Sequence, residues 1–304
     1  MPSSRPRTEP ADFIGNLSVS RGATADAGVG KADLDVEPVV SKDSRAAGLL
    51  IVNADDWGRN YETTVAILNC VLRGTVSSVS AMVFMEDSER AATVALEQGV
   101  DAGLHLNFTT SFSAPRCPAQ LLKHQQEVAK YLARSRFAHA IFHPGLMRSF
   151  EYVVRMQLDE FCRLYQGPPG RVDGHHHMHL CANVVLGGLL PPKTIVRRNF
   201  SFLKGEKSYA NILYRKSVDY LLKRKHLLVD YFFKLPPFEP ATRLQRIFDL
   251  AHKYVIELET HPGSPEEYEF LAGSEMLRLL GALPIAPRFV VAHNPYLKER
   301  ICES

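Results

Sequence analysis

From Leu49 onward, short apolar runs rich in Val, Ile and Leu alternate with stretches whose apolar side chains recur every three or four positions. The first pattern reads as buried strand and the second as amphipathic helix. Strands are predicted at LLIVNA from Leu49, VSSVSAMVF from Val76, AGLHLN from Ala102 and RVDGHHH from Arg171. Four more follow: TIVRRN from Thr194, LLVDYFF from Leu227, VIELET from Val255 and FVVAH from Phe289. Between them, Thr64 to Arg73 sets Val65, Leu68 and Leu72 on one helix face before a stop at Gly74. Ser149 to Gln166 does the same with Val153, Met156, Phe161 and Leu164 before Gly167. Strands alternating with helices predict an α/β fold of mostly parallel strands, β/α-barrel-like, with an open doubly wound sheet as the alternative. Residues 108–170, longer than a simple connection requires, are expected to form a helical insertion or lid.

The first 48 residues follow neither pattern. They are rich in Ser, Pro, Gly, Ala and charge, and begin with no basic-then-apolar leader. Asp33, Asp35 and Glu37 argue against an organellar transit segment. The expected organisation is a flexible tail over 1–48 and a single domain over 49–304. A net charge of +3 offers no bulk attraction to nucleic acid, and no apolar run approaches a membrane span. Five cysteines without a CxxC pair point to free thiols in a reducing compartment, so a cytoplasmic location is expected; a homodimer is left open.

Candidate chemistry collects at strand ends. LLIV runs into Asp55-Asp56, AGL into His105, RV into Asp173 and His175, and VIELE into Thr260-His261. In a parallel sheet the C-terminal strand ends share one face, where active sites are built. Adjacent buried acids such as Asp55 and Asp56 repel unless a cation or proton compensates, although helix capping also explains one Asp. A metal would take one as ligand and leave the other free as a base. If DGHHHMH is a strand, His175, His177 and His179 face one way and His176 the other, and Asp173 could orient one imidazole. A single His105 or His261 is more often a satisfied core residue; convergence of four segments favours ligation. One Asp with two His suits Zn, Fe, Co, Ni or Mn, and Mg less naturally.

The ordered set NADDWG, GLHLN, DGHHHMH and ETHPG resembles the YdjC-like family, which includes the chitooligosaccharide deacetylases and a branch associated with hopanoid biosynthesis. The similarity runs from about Leu49 to about Leu280. It implies a barrel-like deacetylase fold and one divalent metal ion, usually magnesium, with Zn, Mn and Co as alternatives. It places the ligands at Asp56, His105 and His175. By similarity to polysaccharide deacetylases it makes Asp55 the general base and His261 the general acid. The implied substrate is a small N-acetyl sugar or glycolipid. Arg59-Asn60 departs from the family pattern, as do the N-terminal extension and the ending HNPYLKERICES.

Three further residues are candidate substrate contacts. Trp57 could stack on a sugar face or pack beneath the first loop. Arg197 could reach substrate hydroxyls or an anionic group, and His177 lies in the histidine run. The segment from Lys193 to His226 holds ten Lys or Arg against two acids, which reads as a solvated helix face before a phosphate site. His293 ends a strand without an assigned role. The rival readings are a metal-dependent phosphoesterase, an iron oxygenase and a non-catalytic sugar-binding homologue.

Overall fold

The computed structural model describes residues 48–202 and 206–291. The expected tail over 1–48 (but for Gly48), His293 and Cys302 lie outside those residues. In chain order the elements are β1 (Leu49–Trp57), α1 (Tyr61–Leu72), β2 (Ser78–Ala81), α2 (Ser88–Gln98), β3 (Ala102–Leu106), α3 (Ala119–Ala133), α4 (Met147–Tyr165) and β4 (Arg171–Gly174). They continue with α5 (Ala182–Gly187), β5 (Ile195–Val196), α6 (Tyr209–Lys223), β6 (Tyr231–Lys234), α7 (Thr242–Ala251), β7 (Val255–Thr260), α8 (Pro265–Ala272) and α9 (Glu275–Leu280).

Seven strands form one sheet in the order β5-β4-β3-β2-β1-β7-β6, every pairing parallel. The sheet curls into a half-barrel, and the chain flanking its two edge strands meets. Leu227 bridges Ile195, and the Ser201 N–H donates to the Phe232 carbonyl at 2.7 Å. The barrel-like expectation therefore holds with seven strands. The eighth, FVVAH, is corrected: Phe289–Val291 is not strand, and the rest of that run lies outside the described residues. What joins β1 there is an isolated bridge from Leu50 to Ile285.

The two faces of β1 differ. Leu50, Val52 and Ala54 enter the main apolar core, while Ile51 belongs to a smaller cluster with Val229, Phe232 and Val255 inside the curl. Following Ile51 at strand period, Asn53 and Asp55 also turn inward. The same alternation in other strands lines the interior with polar groups. Asn53 Nδ2 donates to Ser80 Oγ at 2.7 Å, and Ser78 Oγ donates to Asn53 Oδ1 at 2.8 Å. Arg171 crosses the same layer to Asn53 Oδ1 at 3.1 Å, over a gap left by Gly103, where a Cβ would stand 2.3 Å from the Arg171 side chain. A polar interior survives because its groups are mutually hydrogen-bonded.

Residues 108–170 connect β3 to β4. Helix α4 is the β3–β4 crossover itself and packs on α2 and β3, with Gln157 bonding both the N–H and the carbonyl of Asn107 at 2.7 and 3.1 Å. Only α3 and two short 3₁₀ turns are additional, and α3 packs against α4.

Candidate metal centre

Strand β1 delivers two carboxylates to one place by breaking its own regularity. Asp55 keeps the inward alternation. Asp56 takes a left-handed backbone (φ 70°), and the β1–β2 register shifts between Ala54 and Trp57. Such a conformation costs an L-residue about 1 kcal/mol. It turns the next carboxylate toward the same cavity, where regular strand would aim it away. Strain of this kind gathers at functional sites.

The DGHHHMH run departs from the strand expected of it. Strand β4 ends at Gly174, and His175–Leu180 forms 3₁₀ turns in which His176 and His177 both have positive φ. The alternation predicted for His175, His177 and His179 is therefore corrected, and each ring has its own partner. His175 Nδ1 lies 3.0 Å from Asp56 Oδ1, and His176 Nδ1 lies 2.9 Å from Thr109 Oγ1. His177 Nε2 is 3.5 Å from Glu259 Oε1, and buried His179 meets the Arg197 carbonyl at 3.0 Å.

Asp56, His105 and His175 each offer one ligand atom within a mutual 4.8 Å. His105 Nδ1 lies 2.7 Å from Asp173 Oδ1, an acceptor that holds a proton on Nδ1 and turns Nε2 toward Asp56 Oδ1 at 3.6 Å. Asp173 Oδ2 in turn accepts from Ser80 Oγ at 2.5 Å and lies 3.2 Å from Arg197 Nη2. This is the carboxylate–imidazole arrangement that fixes a metal-ligating tautomer. Asp56 Oδ1 is buried and makes no well-formed hydrogen bond, although His175 Nδ1 lies 3.0 Å and His105 Nε2 3.6 Å away, a set of three that a cation would satisfy. Its other oxygen accepts from Arg59 Nη1 at 2.9 Å. Two further groups contain Asp55, one with His105 and Asp173 and one with Glu259 and His261. They suit a cation less well, because Asp55 is already engaged.

Arg197 engages it. The guanidinium donates Nη1 to Asp55 Oδ2 at 2.6 Å and Nη2 to Asp55 Oδ1 at 2.7 Å. It also donates Nε to Glu257 at 2.7 Å and Nη1 to Glu259 at 3.2 Å. Arg197 was expected at the substrate; it is 2 % exposed and sits inside the curl among four carboxylates. Trp57 is fully buried, with its indole N–H donating to the Ala91 carbonyl at 3.2 Å, so it packs beneath the first loop. His177 retains 30 % side-chain exposure beside Phe200 and Phe232. His261 is 34 % exposed at the end of β7, with Nε2 at 4.0 Å from Asp55 Oδ2.

Electrostatics follow from this crowding. Burial alone would raise the Asp55 pKa, but Arg197 and His105 hold it well below the usual carboxylate range. Burial likewise works against Asp56, and contact with His175 and the His105 charge hold it low. Burial pulls His105 down, yet Asp55, Asp173 and Asp56 together keep it above its ordinary value. Glu257 goes the other way: burial pushes it up to about 7 despite Arg197. Burial and the Asp55 charge also raise Glu259 well above its ordinary value. One guanidinium cannot compensate every carboxylate around it, so the two glutamates hold their protons to higher pH than exposed ones would.

A family profile described as YdjC-like protein matches residues 49–282. The chain belongs to the YdjC-like family. Among YdjC-like relatives, the chitooligosaccharide deacetylase of Proteus mirabilis is 31% identical over 134 residues, 44% of this chain and 51% of that protein. The carbohydrate deacetylase of Clostridium beijerinckii is 25% identical over 217 residues, 70% of this chain and 81% of that protein. The chain thus spans about half the length of the Proteus relative it matches. A crystal structure from Enterococcus faecalis V583, whose suggested role is cellobiose-phosphate cleavage, shares the fold. It has TM-score 0.57 and 18% identity, over 83% of this chain and 99% of that one.

Within this YdjC-like chain, sequence reasoning missed the interior partners Asn53, Ser80, Glu257 and Glu259. Their signal was present as period-two polar positions, Asn53/Asp55, Ser78/Ser80 and Glu257/Glu259, inside otherwise apolar strands.

Proposed function

We propose that this protein is a metal-dependent hydrolase that removes the acetyl group from an N-acetylated sugar or glycolipid. The observation that carries the metal reading is the convergence of buried Asp56 Oδ1, which makes no well-formed hydrogen bond, with two imidazole nitrogens, one of them on a ring oriented by Asp173. The named activities of the relatives support a carbohydrate amide as substrate. Asp56, His105 and His175 would hold the ion, which supplies Lewis acidity toward an acetyl carbonyl and a water. Magnesium is the metal suggested by family resemblance, while the nitrogen-containing donor set equally suits Zn, Mn or Co.

The chain's own groups divide the proton work. Asp55 Oδ2 lies 4.0 Å from His105 Nε2 and 4.0 Å from His261 Nε2, between the proposed ligands and the exposed imidazole. Asn53 and Arg197 donate to its carboxylate and fix its rotamer, so it stays ionised and aimed. Asp55 accepts the proton of the attacking water. His261 donates a proton to the departing amine as the C–N bond breaks, releasing acetate. Glu267 accepts the His261 backbone N–H at 2.7 Å and holds that turn in place.

The test is acetate release from N-acetylglucosamine oligomers and N-acetylated glycolipids, using metal-stripped protein supplemented with Mg, Mn, Co or Zn. Metal-dependent acetate that vanishes in His105→Ala is the expected result. Release that is unaffected by stripping, or no release with any metal, overturns the proposal.

A further inference from the structure

Helix α6 presents an outer face that combines large apolar side chains with cations. Tyr209 (83 % exposed), Leu213 (56 %) and Tyr220 (67 %) recur at i, i+4 and i+11, which places them on one stripe. Lys216 and Lys223 fall on the same stripe at i+7 and i+14, and both are exposed. Arg224 and Lys225 extend the cationic row past the helix end. The only acid of α6, Asp219, points inward and is tied to Arg198 at 2.8 Å. Large apolar side chains in water, flanked by cations and by no exposed acid of the same helix, make a basic amphipathic surface.

The neighbouring structure has the same character. Between α5 and α6 lies a groove of about 350 Å³ with Val184, Leu190 and Leu222 on its floor and Arg224 and Lys225 on its rim. Exposed Leu186 and Leu221 border it. An apolar floor beneath a cationic rim complements a molecule with a hydrocarbon chain and an anionic head.

We propose that the α6 face, together with this groove, docks the protein on the surface of an anionic phospholipid bilayer. Tyr209, Leu213 and Tyr220 enter the headgroup region, while Lys216, Lys223, Arg224 and Lys225 pair with lipid phosphates. Charge complementarity selects this occupant: a second copy of the chain would bring the same cations against themselves. The inference stands apart from the deacetylase proposal, since none of these residues lines the Asp56 centre. Together the two would favour a substrate presented at a membrane.

The experiment is co-sedimentation of the full chain with vesicles of phosphatidylcholine alone, or of phosphatidylcholine mixed with phosphatidylglycerol, at low and high salt. Binding is expected only to the mixed vesicles, and raised salt should release it. Lys216→Glu with Lys223→Glu should weaken partitioning by at least about tenfold. Leu213→Ser with Tyr220→Ser should weaken it as well. These positions are exposed, so thermal melting should be unchanged, and the salt arm tests the charge argument without any variant. Acetate release from a soluble N-acetyl sugar should be the same in all variants, which separates this inference from the catalytic one. Equal binding to neutral vesicles, or no binding, overturns the proposal. So does a concentration-dependent dimer in light scattering that Leu213→Ser abolishes, which would assign the face to a second copy.

Discussion

The guanidinium of Arg197 grips both oxygens of Asp55, at 2.6 and 2.7 Å, from the opposite side of the curled sheet. Arg197 follows β5 at one end of the strand order and Asp55 belongs to β1 near the other, so the contact exists only because the sheet curls. The same cation meets Asp173, Glu257 and Glu259. It binds the interior electrostatically and aims the proposed base.

Removing Arg197 should therefore be felt first as lost stability. Arg197→Ala leaves buried carboxylates without their cation, and we expect destabilisation of about 3–5 kcal/mol in urea unfolding. Arg197→Lys keeps the charge but loses the two-pronged grip on Asp55. It should lower kcat more than it raises KM. A fully stable, fully active Arg197→Ala protein would contradict the packing described here.

Asp55→Asn separates the base from the metal. The side chain keeps its size, and neither Asp56, His105 nor His175 is altered. Turnover should fall by about 10²–10⁴-fold, while elemental analysis still finds the ion bound. Loss of metal in this variant would instead move Asp55 among the ligands.

Asp173 acts on the centre through His105. Asp173→Asn can present an amide N–H where His105 needs an acceptor, freeing the ring to change tautomer. Metal affinity, measured by competition with a chelator, should drop about 10–100-fold. Unchanged affinity would show that the 2.7 Å His105–Asp173 bond does not fix the ligand.

Glu257 gives a pH dependence with a defined sign. Burial raises its folded pKa from an ordinary 4.5 to about 7. A raised acid stabilises the fold fully below its unfolded pKa, and that contribution is lost as pH rises through the folded one. Glu257→Gln mimics the protonated form, so it should match the parent near pH 4.5 and exceed it above pH 7. The gain is up to about 3 kcal/mol. Denaturant midpoints across that range check it; a variant less stable at high pH than at low pH, relative to the parent, would refute it.

Trp57 distinguishes packing from sugar recognition. Trp57→Ala should cost about 3–5 kcal/mol through the cavity it leaves, with KM for any soluble N-acetyl sugar unchanged in the protein that remains folded. A raised KM with unaltered stability would return Trp57 to the substrate.

The sequence by itself determined the alternation of strands and helices, because apolar runs and 3.6-residue periodicity depend only on neighbours along the chain. It also determined that Asp55, Asp56, His105, His175 and His261 share one end of the sheet, since parallel strands deliver their C-termini together. It did not determine the geometry at those ends. The left-handed turn at Asp56 and the 3₁₀ turns through His175–Leu180 interrupt the strand pattern that local residues suggested. Arg59 closes the Asp56 turn locally, but Thr109 and the Arg197 carbonyl hold the histidine turns from positions that no local window contains. Only the tertiary structure decided the place of Arg197. Read locally, it is one cation in a basic segment that suits a solvated helix face. Curling of the sheet brings acidic side chains from β1, β4 and β7 around it, and they offset the cost of burying its charge.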